Sequence, residues 1–127
     1  MIDVLNYLCY NMEKARQLAK DIWSEAAPVF ENCDVWHIGM DEYYGDVEEF
    51  CMFMDELTAH ITEIAPEKEL RAWGSLTMKG GKELSQAAQD VQLQIWDVDW
   101  ADPLEMYQQG FSIVNSLKNN LYIIPNS

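Results

Sequence analysis

The chain has 127 residues, 49% of them hydrophobic, and carries a formal net charge of −14 at pH 7. This length suits one domain with its own core, and the apolar content excludes a disordered acidic tail. The charge disfavours direct binding to nucleic acid or to an anionic membrane, because both require a basic surface. We therefore expect one acidic domain over residues 1–127 that binds a basic protein.

The cysteines indicate a reducing compartment. Cys9, Cys33 and Cys51 are odd in number, widely spaced and without a CxxC pair, so no disulfide framework is expected. The first residues lack the basic region and cleavage site of a signal peptide. No apolar stretch approaches the length of a membrane span. The sequence thus predicts a cytoplasmic protein.

The first predicted element is a long helix that ends before Pro28. Apolar residues recur at spacings of three and four over residues 5–26, which is the pattern of a helix face laid on a core. The same stripe could instead form a coiled-coil seam, which would make the protein a homodimer. The basic residues of the first half all lie on this helix, namely Lys14, Arg16 and Lys20.

A strand is predicted after the first helix. Trp36, Ile38 and Met40 alternate with polar or small residues, which indicates one buried and one exposed face. The strand is expected to end at Gly45. His37 lies on the polar side, where a solvated histidine is commoner than a catalytic base.

The second helix has a clear start signal. Asp46 stands at an N-cap position and Glu49 follows at the third helical position, as in a capping box. We predict a helix over 47–64 that Pro66 ends. Its apolar face is expected to contain Val47, Phe50, Cys51, Met54, Leu57, Thr58, Ile61 and Ile64.

The middle of the chain is predicted as a strand, a short helix and another strand. The segment "LRAWGSLTMKGGK" has the composition of a strand that ends at Gly80-Gly81. Residues 84–91 fit a short helix, and "VQLQIWDVDW" fits a strand. A long hairpin that turns at Gly80-Gly81 is the competing interpretation.

The last predicted helix begins at Asp102. This residue has an N-cap position, with Pro103 at the first and Glu105 at the third helical position. The apolar stripe is expected to continue to Leu121, and "LYIIP" can add a final strand. The elements together predict an α+β domain with three main helices packed on a sheet of three to four strands.

No motif for catalysis or metal binding is present. His37 and His60 have acidic residues nearby in the sequence, but a solvated histidine is the commoner interpretation of both. The cysteines lack the spacing of a zinc finger. The segment "DVDWAD" begins like a calcium-binding loop, but the required glycine and final glutamate are absent. We therefore expect a protein that is not an enzyme and has no cofactor or metal.

The carboxylates are more ordered than the composition requires. Glu49, Glu56 and Glu63 recur every seven residues, which predicts an outward row with a spacing of about 10.5 Å on the second helix. Residues 21–67 contain no Lys or Arg, whereas a surface that is merely solvated mixes both signs. This pattern predicts a functional acidic surface.

Two further acids, Asp97 and Asp99, are expected to share one face of a strand about 7 Å apart. The aromatic residues, among them five tryptophans, offer anchors for an interface. The complete set of candidate partner-binding residues is Asp41, Glu42, Asp46, Glu48, Glu49, Asp55, Glu56, Glu63, Asp97 and Asp99.

In physical type the chain resembles small acidic proteins that block nucleic-acid enzymes by imitating DNA, such as antirestriction proteins and anti-CRISPR inhibitors. The resemblance implies a phage or mobile-element counter-defence protein that occupies the nucleic-acid-binding site of a basic effector or nuclease. An immunity protein that neutralises a basic nuclease toxin has the same electrostatics. A self-assembling regulatory or structural module is a third interpretation.

Overall fold

The computed structural model describes residues 13–75 and 86–122, which form helices and a four-stranded parallel sheet. The helices of this part are α1 (Glu13–Ala26), α2 (Val47–Ile64), α3 (Gln86–Gln89), α4 (Pro103–Gln108) and α5 (Lys118–Leu121). The strands are β1 (Val35–His37), β2 (Glu69–Trp73), β3 (Gln92–Ile95) and β4 (Ile113–Asn115). The predicted packing of helices on a small sheet is confirmed.

The strands follow one another across the sheet in the order β1-β2-β3-β4, and every pair is parallel. Because β2 and β3 run in the same direction, the competing hairpin interpretation of this region is wrong, and a short helix does precede β3. The predicted turn at Gly80-Gly81 lies outside the described residues, as do residues 5–12 of the first predicted helix and the "IIP" of the final strand.

One face of the sheet forms the core together with α2. The burial predicted for Trp36, Ile38 and Met40 is confirmed, but the strand ends at His37, and the prediction that it extends to Gly45 is wrong, because the backbone leaves the extended conformation at Gly39 and Met40. In register, Trp36 pairs with Leu70, and Ala72 pairs with Leu93. The side chains that the strands direct toward the helices are therefore the hydrophobic ones.

Helix α2 has the predicted bounds and the predicted cap. Oδ1 of Asp46 accepts hydrogen bonds from the backbone N–H groups of Glu48 at 2.7 Å and Glu49 at 3.3 Å. These bonds satisfy two of the N–H groups that a helix start leaves without partners. The buried face expected from the period is confirmed for Phe50, Met54, Leu57 and Ile61.

Helix α1 lies against α2 and the start of the sheet. The indole of Trp23 stacks on that of Trp36 with 5.4 Å between ring centroids, and Nε1 of Trp36 donates to the carbonyl oxygen of Phe30 at 3.2 Å. Leu18 and Ile22 are about half exposed. Ala19 is buried, so the described part of the helix is fixed both along α2 and by its last turn and the short 3-10 helix that follows at Ala27–Phe30.

The prediction of the last helix is wrong beyond its first turns. Asp102 caps α4 as expected, but the helix ends at Gln108, and Gly110 adopts a φ of 99°, which suits glycine at a helix end. Phe111 then enters the core, and Ile113–Asn115 pair with β3. Pairing with the sheet therefore overrides the helical period that the sequence shows here.

Candidate functional site

Most of the predicted acids lie at one edge of the sheet. Parallel strands all end at the same edge, so the loop 38–46 after β1 and the turn 96–101 after β3 emerge on the same side. The two segments meet where the rings of Tyr44 and Trp100 lie 5.0 Å apart, edge to face. We call the acids and aromatic residues of these two segments and the first turn of α2 the carboxyl-edge surface. Its acids are Asp41, Glu42, Asp46, Glu48, Glu49, Asp97 and Asp99.

The loop after β1 has a specific and strained backbone. Met40 and Glu42 have φ angles of 79° and 49°, in the left-handed region that side chains usually avoid. Such residues cost about 1–3 kcal/mol each and persist where the surroundings fix them. Met40 is fixed by burial, with 2% of its surface exposed. The loop thus presents Asp41 and Glu42 in a defined conformation.

The two tyrosines of the loop have different roles. The hydroxyl of Tyr43 donates to Oε2 of Glu49 at 3.0 Å, and its ring contacts Phe50. Burial and this hydrogen bond raise the pKa of Tyr43 to about 12, so the hydroxyl remains a donor at neutral pH. Tyr44 instead points outward with 82% of its surface exposed. Tyr43 anchors the loop, and Tyr44 is available to a partner.

Asp97 does not have the strand geometry that the sequence predicted. Strand β3 ends at Ile95, so Asp97 and Asp99 lie in a turn rather than along one strand face. Asp97 is buried, and its carboxylate accepts from the Asp99 N–H at 3.0 Å and from Nζ of Lys118. These two bonds, the Lys118 bond first, lower the pKa of Asp97. Asp97 holds the turn together, and Asp99 remains exposed.

The surroundings of the Glu56 carboxylate also differ from those predicted. It was expected in an outward row with Glu49 and Glu63, but its carboxylate accepts from Nε of Arg16 at 3.0 Å and Nζ of Lys20 at 2.9 Å. Burial raises the pKa of Glu56, and the two cations outweigh this effect and lower it. The basic residues of α1 therefore compensate the middle of the row, because α1 packs along this side of α2. Glu63 is exposed near the far end of the helix.

An acidic depression extends the carboxyl-edge surface along α2. It has a volume of about 580 Å³ and lies beside the first three turns of the helix. The residues that line it are Asp46, Glu48, Glu49, Cys51, Met52, Asp55 and Glu56. The depression thus joins Asp46, at the end of the loop, to the acids of the first three turns of α2.

The same edge contains polar and aromatic groups that the sequence reasoning did not select. Trp73 ends β2, and Trp96 directly follows β3. Within the described part of the chain, the buried atoms Ser75 Oγ and Trp96 Nε1 have no hydrogen-bond partner. The signal was present in the sequence, because a tryptophan comes at or just after the end of two buried strands. Buried polar atoms such as Ser75 Oγ and Trp96 Nε1 normally have hydrogen-bond partners.

The described ranges, 13–75 and 86–122, contain no group of three His, Cys, Asp or Glu residues placed to hold a metal ion. In the same ranges neither Cys33, which is exposed, nor Cys51, which is buried, forms a disulfide. No helix of this part has the length and apolar character needed to cross a membrane. No protein-family model matches the chain, and no curated protein shows significant similarity to it.

Proposed function

We propose that the protein is a non-enzymatic binding protein whose carboxyl-edge surface occupies the basic nucleic-acid-binding site of a protein partner in the cytoplasm. The observation that supports this most is the convergence of acids from two separate loops on one edge of the sheet. The carboxylates there that are exposed or half-buried are those of Asp41, Glu42, Asp46, Glu48, Glu49 and Asp99. A counter-defence protein and a nuclease immunity protein would use this surface in the same way.

The charge distribution supports a basic partner. Residues 21–67 supply β1, the loop and α2 without a single Lys or Arg. A surface with one sign of charge attracts the opposite sign over distances of about 10 Å at physiological salt. We therefore expect the charge mainly to raise the association rate and to select the partner.

Tyr44 provides an anchor in the centre of these charges. Its ring is largely exposed but is braced on one side by Trp100. Tyrosine and tryptophan are enriched among the residues that contribute most to interfaces, because they bury a large area at a small entropic cost. The combination of a braced aromatic residue with surrounding carboxylates fits a basic groove.

The proposal is tested with a triple neutralisation of exposed acids, Glu42→Gln, Glu48→Gln and Asp99→Asn. Immobilised protein is used to capture partners from host lysate at low and high salt, and the association rate of each purified partner is then measured. The triple variant should associate on the order of tenfold more slowly, and DNA or RNA should compete with the original protein for the partner.

The matched control neutralises three exposed acids of α1 and the 3-10 segment that follows it, Glu13→Gln, Glu25→Gln and Glu31→Gln. It removes the same charge from a different region, so it should retain most of the association rate. Equal losses in the two triple variants would show that net charge alone acts. A captured partner that retains its nucleic acid in the complex would contradict the proposed mode of binding.

A further inference from the structure

The sheet has one face that no described helix covers. Its strands are parallel and in sequential order, and each described strand is followed by a helix. Right-handed connections in such an order place every helix on the same face. The burial agrees, since the strand residues in the core all belong to one face, namely Trp36, Leu70, Ala72, Leu93 and Ile95.

The opposite face, which we call the open face, consists mainly of polar and aromatic side chains, most of them half-buried, and also contains Val35 and Val114. Arg71 donates from Nε and Nη2 to Oε1 of Gln92 at 3.2 and 2.9 Å, and Gln92 donates onward to Glu69 at 3.2 Å. The rings of His37 and Trp73 lie 5.0 Å apart. The Nε2 of His37 is buried without a hydrogen-bond partner in the described chain. Parallel sheets are almost always covered on both faces.

The outer strands of the described sheet are open to further pairing. The bonds from Glu69 N to Asp34 O and from Ile38 N to Arg71 O show that the even-numbered residues of β1 face β2. The backbone N–H of Val35 therefore points away from the sheet, because alternate residues of a strand direct their polar groups to opposite sides. Strand β4 forms the other edge.

We infer that a second copy of the chain covers the open face and that the two copies close into an eight-stranded parallel barrel. A two-fold axis along the barrel places β4 of each copy beside β1 of the other, so the two seams are identical. Eight parallel strands, each followed by a helix, close into a barrel whose interior is filled by side chains. The carboxyl-edge surfaces of both copies then surround one mouth.

The charge distribution favours the open face for self-association. Each copy carries a charge of −14, so most surfaces of two copies repel each other. On the open face the charges of Glu69 and Arg71 are linked through Gln92, and the face is close to neutral over its described residues. Because these groups are already hydrogen-bonded within one copy, burying them costs less than burying free polar groups.

The inference is tested by sedimentation equilibrium of the full chain and two variants over a wide concentration range. The original protein should approach twice its mass of 14.7 kDa. Gln94→Glu places a charge in the barrel interior and should weaken dimerisation on the order of 100-fold, since an unpaired charge would be buried there. Gln108→Glu adds the same charge to an exposed position of α4 and should leave dimerisation almost unchanged.

Val35→Pro tests the seam separately. It removes an outward N–H at the first residue of an edge strand, where proline is tolerated, so the monomer should fold while dimerisation weakens. A protein that stays monomeric at every concentration would overturn the inference. So would a dimer that Gln94→Glu does not affect and that Leu18→Glu on α1 dissociates, because that dimer forms through the first helix. These outcomes are independent of whether a basic partner binds.

Discussion

The two faces of the sheet are built by the same four strands and have opposite chemistry. Leu93 and Ile95 of β3 are fully buried under the helices, whereas Gln92 and Gln94, which alternate with them, are only half-buried. This alternation is more common in antiparallel sheets, because most parallel strands are buried on both faces and hydrophobic throughout. The difference indicates that the described helices lie on one side, and it makes the face opposite them a surface with its own properties.

The largest expected effect separates the two faces directly. Leu93→Ala should lower the free energy of unfolding by about 2–5 kcal/mol, because it leaves a cavity in a fully buried site. Gln94→Ala, on the open face of the same strand, should cost less than about 0.5 kcal/mol when measured on the monomer. Urea unfolding of both variants provides the comparison. Similar losses at the two positions would show that both faces are core.

The next effect concerns the helix that covers one face. Asp46→Ala removes the cap of α2 and should destabilise the protein by about 1 kcal/mol in urea unfolding. Asp46→Asn keeps a side-chain oxygen and should retain most of the stability. If Asn and Ala are equally destabilising, the charge of Asp46 near the helix terminus matters more than its hydrogen bonds.

A smaller effect is expected at the contact between α1 and α2. The pKa of Glu56 is lowered in the folded protein, so its carboxylate stabilises the fold above the unfolded pKa near 4.5. This contribution is lost as the pH falls through the folded value. Glu56→Gln should therefore lower the free energy of unfolding by less than about 1 kcal/mol at neutral pH, since the ion pair between Arg16 and Glu56 is partly exposed.

The control for this pair is Glu63→Gln, an exposed change one heptad further along α2. The difference in unfolding free energy between Glu56→Gln and the original protein should disappear in acid, and Glu63→Gln should show little difference at any pH. A pH-independent loss for Glu56→Gln would indicate that packing, and not charge, joins the two helices.

The smallest expected effect is the pH dependence of stability that arises from His37 on the open face. Burial, and secondarily the nearby Arg71, lowers the pKa of His37 from its usual 6.5. The unfolded chain then binds this proton at a higher pH than the folded chain, so stability should decrease as the pH falls through 6.5. In the folded protein the Gly39 N–H donates a hydrogen bond to His37 Nδ1 at 3.1 Å. Protonation of the ring removes this bond, because a protonated imidazole nitrogen cannot accept a hydrogen bond, and the loss contributes to the decrease in stability.

Urea unfolding above and below pH 6.5 measures this dependence. His37→Asn should reduce it. A pH dependence that persists unchanged in His37→Asn would show that this histidine does not cause it and that the open face is more solvated than its burial indicates.

The sequence alone determined the elements that depend on local signals. The cap at Asp46 and the period of the residues after it define α2, because capping and one-sided burial act within a few turns of a helix. The alternation at Trp36, Ile38 and Met40 also gave the buried side of the first strand. The same local logic predicted the start of α4 at Asp102, where N-cap and proline signals coincide.

The tertiary structure decided what depends on partners distant in sequence. The parallel order of the strands, and with it the meeting of Tyr44 and Trp100, depends on pairings that no local pattern encodes. Glu56 was predicted in an outward row, but a neighbouring helix supplied two cations to it. Residues 113–115 have a helical period and form a strand, because hydrogen bonds to β3 and the burial of Phe111 stabilise the chain more than a longer exposed helix would.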